Sequence, residues 1–221
     1  VTSPEAFVAE LDAANARALA RLMEKVASPA GTSESAPLTV TRLLGLALKN
    51  ELEATECAAG WIATTPELDA KLAFARQAGD EAKHYRLIEE RLVALGVDPS
   101  SLDPSKQPPS PLLVYLRSLE TTVERVAAGQ FTREALALVR NEAFIRFASD
   151  AGDEPTAALY RDRIQPDEKH HHELGRRLLR ELATTDDLQG RARRAAEKTL
   201  SLADELAEIA RLKGITSAPG C

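Results

Sequence analysis

The chain has 221 residues and a formal charge of −6, with 28 Lys and Arg against 34 Asp and Glu, which suits one domain and argues against a broad nucleic-acid-binding surface. Hydrophobic residues make up 44% and aromatics only 4%; the apolar content is mostly Ala and Leu, which favours helix over sheet. Two Cys exclude a disulfide framework or a Cys-based structural zinc site, no apolar run reaches the roughly 18 residues of a membrane helix, and the early acids Glu5, Glu10 and Asp12 do not suit a signal peptide, so the expected compartment is the cytoplasm.

Thr2 with Glu5 predicts a capping box, and Pro4 suits a first turn. A helix is expected over 3–27, with Phe7, Leu11, Ala14, Ala18, Leu22 and Val26 on one stripe. Ser28 to Pro37 is a loop by composition. A second helix runs over 38–62, and Thr64-Thr65-Pro66-Glu67 turns the chain into a third that ends at Gly96. Pro99, Pro104, Pro108, Pro109 and Pro111 make 97–111 a stiff crossover. Helical pattern resumes at Leu112, breaks near Gly129–Thr132 and continues to Ser149. After a turn at Ala151–Pro155, a helix over 156–183 carries Pro166, and a last one spans 187–213 before Gly214. No stretch alternates with period two. The expected fold is all-α. It is a single domain, 1–221, whose residues 38–184 form a four-helix core of two antiparallel hairpins with a long crossover, flanked by helices 3–27 and 187–213.

Within that core the sequence echoes itself. Lys49-Asn50-Glu51 precedes Asp80-Glu81-Ala82-Lys83-His84, and Arg140-Asn141-Glu142 precedes Asp167-Glu168-Lys169-His170-His171. The gaps between paired glutamates are 30 and 26 residues, a difference of about one helical turn. Glu81 with His84, and Glu168 with His171, are three apart and share a helix face. The midpoint between Glu51 and the Glu81–His84 pair falls at Thr65-Pro66; that for Glu142 falls near Pro155. Each hairpin is thus expected to set one carboxylate opposite an acid–imidazole pair. Glu51 lies on the stripe Leu44, Ala47, Leu48, Thr55, Ala58, Ile62, and Glu81 on the stripe Phe74, Ala78, His84, Ile88, Leu92, Leu95. A carboxylate on an apolar stripe needs a cation or strong hydrogen bonds. Glu53 and Glu56 fall on the other face, where solvation is expected.

The doubled pattern resembles the ferritin-like di-iron carboxylate superfamily, whose bundles carry one Glu on each of two helices and Glu-x-x-His on each of the other two. The likeness covers roughly 38–184. Asp-Glu-x-x-His twice is also similar to bacterial di-iron monooxygenases, although Lys83 and His170 stand where those usually carry Arg. The resemblance implies Glu51, Glu81, His84, Glu142, Glu168 and His171 as metal ligands, with Asp80 and Asp167 behind the imidazoles. It implies two iron ions, or a manganese–iron pair, since carboxylate with imidazole suits these metals. The implied activity is a non-haem di-iron oxidoreductase that activates dioxygen, a hydroxylase or other oxygenase of a small organic substrate. Dioxygen or peroxide, that substrate and an electron donor are the implied partners; no membrane is expected, and the charge of −6 counts against nucleic acid. The terminal helices are available to cover a pocket or build a homodimer. The alternatives are a ferroxidase or peroxide scavenger of rubrerythrin type and a tRNA-modifying di-iron hydroxylase, kept open by Arg176-Arg177-Arg180 and Arg191-Arg193-Arg194.

Glu120 and Glu124 are rivals to Glu142. His170 and His172 are expected as a surface pair, Cys57 as a small core residue and Cys221 in a loose tail. Tyr85, Tyr115 and Trp61 are expected to pack. Gly79 and Pro166, each two residues before a site Glu, mark places for local helix widening or close packing.

Overall fold

The computed structural model describes residues 2–27 and 37–220, and contains no strand among them. The helices are α1 (Pro4–Ala27), α2 (Val40–Ile62), α3 (Leu68–Ala94), α4 (Pro111–Arg117), α5 (Thr122–Val126), α6 (Glu134–Asp150), α7 (Glu154–Leu159), α8 (Gln165–Leu182) and α9 (Asp186–Leu212). Most of the loop expected at 28–37, and Cys221, lie outside the described residues. Thr39, Ser110, Thr121, Asp153 and Thr185 each accept from the backbone N–H three residues on, satisfying a donor that a helix start leaves orphaned. The α1 cap is Ser3, which accepts from Ala6 N at 3.2 Å. Thr2, expected there, instead offers its carbonyl to Gln189 Nε2 at 2.8 Å.

α2 and α3 form one hairpin; α5–α6 and α7–α8 form the other. Between α3 and α4 the prolines permit only two short 3₁₀ turns, Pro99–Leu102 and Pro104–Lys106. The crossover climbs α2 rung by rung. Lys49 Nζ donates to Pro108 O at 2.7 Å, Ser110 N to Glu53 at 2.8 Å and Arg117 to Glu56 at 2.7 Å. Glu53, expected to be solvated, therefore fastens the crossover. Having travelled the length of the bundle, the chain sends α6 parallel to α3. Arg125 reaches Thr65 at 3.2 Å, Gln77 reaches Glu134 at 2.5 Å, and Arg91 reaches Asp153 at 2.6 Å.

The helix expected to break at Gly129–Thr132 does not break. It widens into a π-helical stretch, Ala127–Arg133, every residue of which is buried. A second π stretch, Tyr160–Ile164, joins α7 to α8 just before Pro166. Gly79 lies exposed in regular helix, so the widening expected there is absent. Two apolar layers result, with a smaller apolar cluster around Leu19, Leu22 and Leu136 apart from them. Phe7, Leu11, Trp61, Phe74, Phe131 and Leu178 belong to one, which α1 and α9 help close. Leu44, Leu48, Ile88, Leu92, Phe144 and Tyr160 belong to the other.

Close approach at the first π stretch explains one glycine. A Cβ on Gly175 would stand 2.8 Å from the Gln130 carbonyl carbon. In urea denaturation, Gly175→Ala should destabilise by ~1–3 kcal/mol through overpacking against backbone that cannot yield. Gly79→Ala, whose Cβ meets nothing within 4 Å, should stabilise by up to about 1 kcal/mol through helix propensity. Equal effects at the two sites would refute the tight seam.

Candidate metal centre

Between the two apolar layers lies a buried polar one. Glu51, Glu81, His84 and Glu168 form one group whose ligand atoms all lie within 4.8 Å of one another, and Glu81, Glu134, Glu168 and His171 form a second. Glu81 and Glu168 belong to both and so stand where bridging ligands would. Every one of the six is buried, both imidazoles completely. The stripes of α2 and α3 bring Glu51, Glu81 and His84 inward, and that of α8 brings Glu168 and His171.

Glu142 is not among them. Its side chain is 55% exposed and pairs with Arg146 at 3.1 Å. Glu134 takes the position, two helical turns earlier. Expectation failed on hairpin register, because Glu142 is only nine residues from the turn at Ala151–Asp153, whereas the Glu168–His171 pair lies some sixteen beyond it. Glu134 and that pair are equidistant from Gly152. At about 1.5 Å per residue, Glu142 is about 12 Å too near the turn. Of the rivals, Glu120 is exposed and Glu124 completes the capping box of α5.

The ring nitrogens face two ways. His84 Nδ1 lies 3.3 Å from Glu81 and 3.6 Å from both Glu51 and Glu168. His171 Nδ1 lies 3.8 Å from Glu81 and 3.7 Å from Glu168. Both Nδ1 atoms, with Glu134 Oε2 and Glu168 Oε2, are buried and make no hydrogen bond. These separations are too long for good hydrogen bonds but fit donors sharing one cation, since two ligands ~2.1 Å from a metal at a tetrahedral angle lie ~3.4 Å apart. The outer nitrogens are braced crosswise. His84 Nε2 is 3.2 Å from Asp167, and His171 Nε2 is 3.1 Å from Asp80. Each aspartate precedes the shared glutamate of its own helix and holds the imidazole of the other. Lys83 Nζ at 2.6 Å and Arg76 Nε at 3.3 Å in turn hold Asp167 and Asp80.

Without a cation the cluster retains protons. Burial pushes Glu51 up to about 8, and burial with the neighbouring Glu168 raises Glu134 well above its usual range. Burial opposes the charging of His84, yet the carboxylates of Glu51 and Glu81 lift it to about 12. His171 is lifted against burial to about 9 by Asp80 and Glu168. Burial disfavours a charged Glu81 as well, but the two imidazoles draw it down to about 2. Asp80 is held at about 2, chiefly by His171.

Several residues of this layer carry no motif. Gln77, one turn before Glu81, donates Nε2 to Glu134 at 2.5 Å. Buried Arg133 adjoins Glu134 and donates to Asn50 O at 3.3 Å. Tyr160 is fully buried with its hydroxyl unpartnered; burial and the charges of Glu51 and Glu168 keep the phenol protonated, leaving an O–H donor beside the cluster. His172, expected at the surface, is buried, stacks on Phe131 and meets that residue's carbonyl at 2.8 Å. It braces the π stretch that presents Glu134, as does Asn15 of α1 through Thr132 at 2.8 Å. Only the buried periodicity around each residue could have signalled them.

Asp80→Asn and Asp167→Asn should each weaken metal binding by about 10–100-fold, because an amide holds the imidazole without the same charge support. Helix content by circular dichroism should not change. Unaltered affinity in both variants would show that the aspartates merely pair with Arg76 and Lys83.

No helix among the described residues is long and apolar enough to cross a membrane. Arginines of these clusters face acids of neighbouring helices, Arg176 on Asp12, Arg191 on Glu124 and Arg193 on Glu10. Set against known protein families, curated proteins and solved structures, the chain matches none of them.

Proposed function

We propose that the chain is a ferritin-like di-iron oxidoreductase, holding two metal ions between Glu51, Glu81, His84, Glu134, Glu168 and His171 and acting with dioxygen on a small organic substrate. The observation that carries this reading is the set of buried, unbonded ligand atoms converging from both hairpins, each imidazole braced by a carboxylate behind it. Four carboxylates with neutral imidazoles carry four negative charges, which two divalent ions balance in a low-dielectric interior. Mixed carboxylate and imidazole donors suit iron or manganese. Two redox metals supply electrons for reducing dioxygen or peroxide.

The protein's part is to hold and to exclude. Asp80 and Asp167 hold the Nε2 sides of the imidazoles, which leaves Nδ1 free to take up bound ions. The apolar layers around Phe74 and Phe144 keep bulk water from the cluster. The Tyr160 hydroxyl and Gln77 Nε2 supply hydrogen-bond donors on a wall rich in carboxylates.

Iron-loaded protein, reduced without oxygen and then exposed to it, should consume dioxygen, develop a ferric absorption band and keep two irons per chain through repeated cycles. Accumulation of many ferric ions per chain would instead support a ferroxidase. Failure to react with dioxygen and with peroxide would leave a structural metal site and overturn the enzymatic reading.

A further inference from the structure

The basic–Asn pairs of the internal echo, Lys49-Asn50 and Arg140-Asn141, contribute no ligand. Lys49 and Arg140 instead line a cavity of about 260 Å³ on the outer side of α2 and α6. Its apolar wall comes from Met23 and Val26 of α1, Leu46 of α2, and Leu206 and Ile209 of α9. Lys213 joins the two other cations in the lining, and no Asp or Glu does among the described residues, although the chain as a whole has a charge of −6. Lys49 is steadied by Pro108 O at 2.7 Å and Glu53 at 3.7 Å, and Arg140 by Ala203 O at 3.5 Å.

The asparagines finish the cavity. Residues 215–218 form one of its walls. Beyond them, Asn50 Nδ2 donates to Pro219 O at 3.0 Å, and Gly220 N donates to Asn141 Oδ1 at 2.8 Å. Gly220 has a φ of +72°, and a Cβ there would stand 3.3 Å from Asn50 Cβ. Each hairpin therefore gives one cation to the cavity and one amide to the segment that closes it.

We propose that this cavity binds a small apolar carboxylate, its chain among the α1 and α9 side chains and its anionic end toward Lys49, Arg140 and Lys213. Apolar walls with few convergent polar groups are the general character of ligand sites, and the volume falls just below the roughly 300–1,000 Å³ of drug-sized ones. A local excess of one charge also raises the concentration of the opposite one. None of the six clustered side chains lines the cavity, so binding there is independent of the proposed function.

Isothermal titration of the full chain with octanoate, and with octylamine and 1-octanol of equal length, tests the site. Octanoate should saturate near one per chain, and octylamine should bind at least tenfold more weakly. Lys49→Met combined with Arg140→Met should weaken octanoate at least tenfold and leave 1-octanol unchanged. Lys213→Glu, at an exposed position, should weaken octanoate alone and serves if the double variant does not fold. Ala207→Phe, which fills the cavity from α9, should abolish both. No saturable octanoate binding, equal binding of octylamine, or binding indifferent to Ala207→Phe overturns the proposal. Metal content measured on the same samples keeps the readings apart: lost octanoate binding with two metals present removes only the cavity, and absent metal with octanoate bound removes only the centre.

Discussion

Glu134→Ala should lower the metal content from two ions to one per chain, while Glu142→Ala should leave both in place. The effect is expected to be large because Glu134 is completely buried and is the one carboxylate of its group that the other group does not share. Its loss leaves the second ion with His171 and the two bridging glutamates. In solution alkaline enough to ionise Glu134, the same change should raise the thermal midpoint of the metal-free chain, since a buried carboxylate crowded by Glu168 and Glu81 is removed. Opposite signs on metal content and apo stability distinguish a ligand from a structural residue. Metal analysis after gel filtration and calorimetry of the apo chain read the two. If Glu142→Ala loses an ion, the hairpin register described above is wrong.

Loading the centre at about pH 7 should release several protons, because ligation favours the deprotonated groups. Glu51, Glu134, His84 and His171 each hold a proton that a cation must displace. Titrations in buffers of different ionisation enthalpy would count them, and release of one or none would refute the assignment. The same groups set the pH dependence of the metal-free fold. All four bind protons more tightly folded than unfolded, so their contribution is complete below the unfolded values of 4.5 for Glu and 6.5 for His. It is lost as pH rises through about 8 at Glu51 and about 9 at His171. Asp80 and Glu81, both near 2, lose theirs only in much more acid solution. Apo stability should therefore fall between about pH 5 and about pH 9. Bound metal should flatten or reverse that slope, because ligation favours the deprotonated groups.

The long helices, the crossover and five of the six clustered side chains could be read from local chemistry. Prolines at 99–111 and the turns at 64–67 and 151–155 punctuate the chain where the structure does. Glu-x-x-His needs only regular helix to bring two donors to one face. The sixth clustered side chain depends on hairpin register, which sets Glu134, immediately after a widened stretch, opposite the Glu168–His171 pair. Ala127–Arg133 is unremarkable in composition, and Gly129 invites a break, yet the segment is buried on all sides and widens instead. A π turn holds more residues per turn than an α turn, so a face extrapolated at 3.6 residues loses its phase there. Asn141 matched Asn50 in sequence because both serve the tail, and that match drew the adjacent Glu142 into a register belonging to the cavity rather than the metals. Gln77 and Tyr160 were illegible for another reason: a lone polar residue at a core position is defined only by its neighbours.

The crossed Asp–imidazole braces have a further consequence. Neither hairpin is chemically self-sufficient: each carries its own Glu-x-x-His, but the partner of its imidazole belongs to the other. Glu51, Asp80, Glu81 and His84 correspond in role to Glu134, Asp167, Glu168 and His171. In these four positions the molecule is thus a covalent pseudodimer, in which exchanging the two halves maps each of them onto its counterpart. Two separately produced hairpins should reconstitute a site only by associating, and the crossover serves to enforce a stoichiometry that the symmetry of the site already requires.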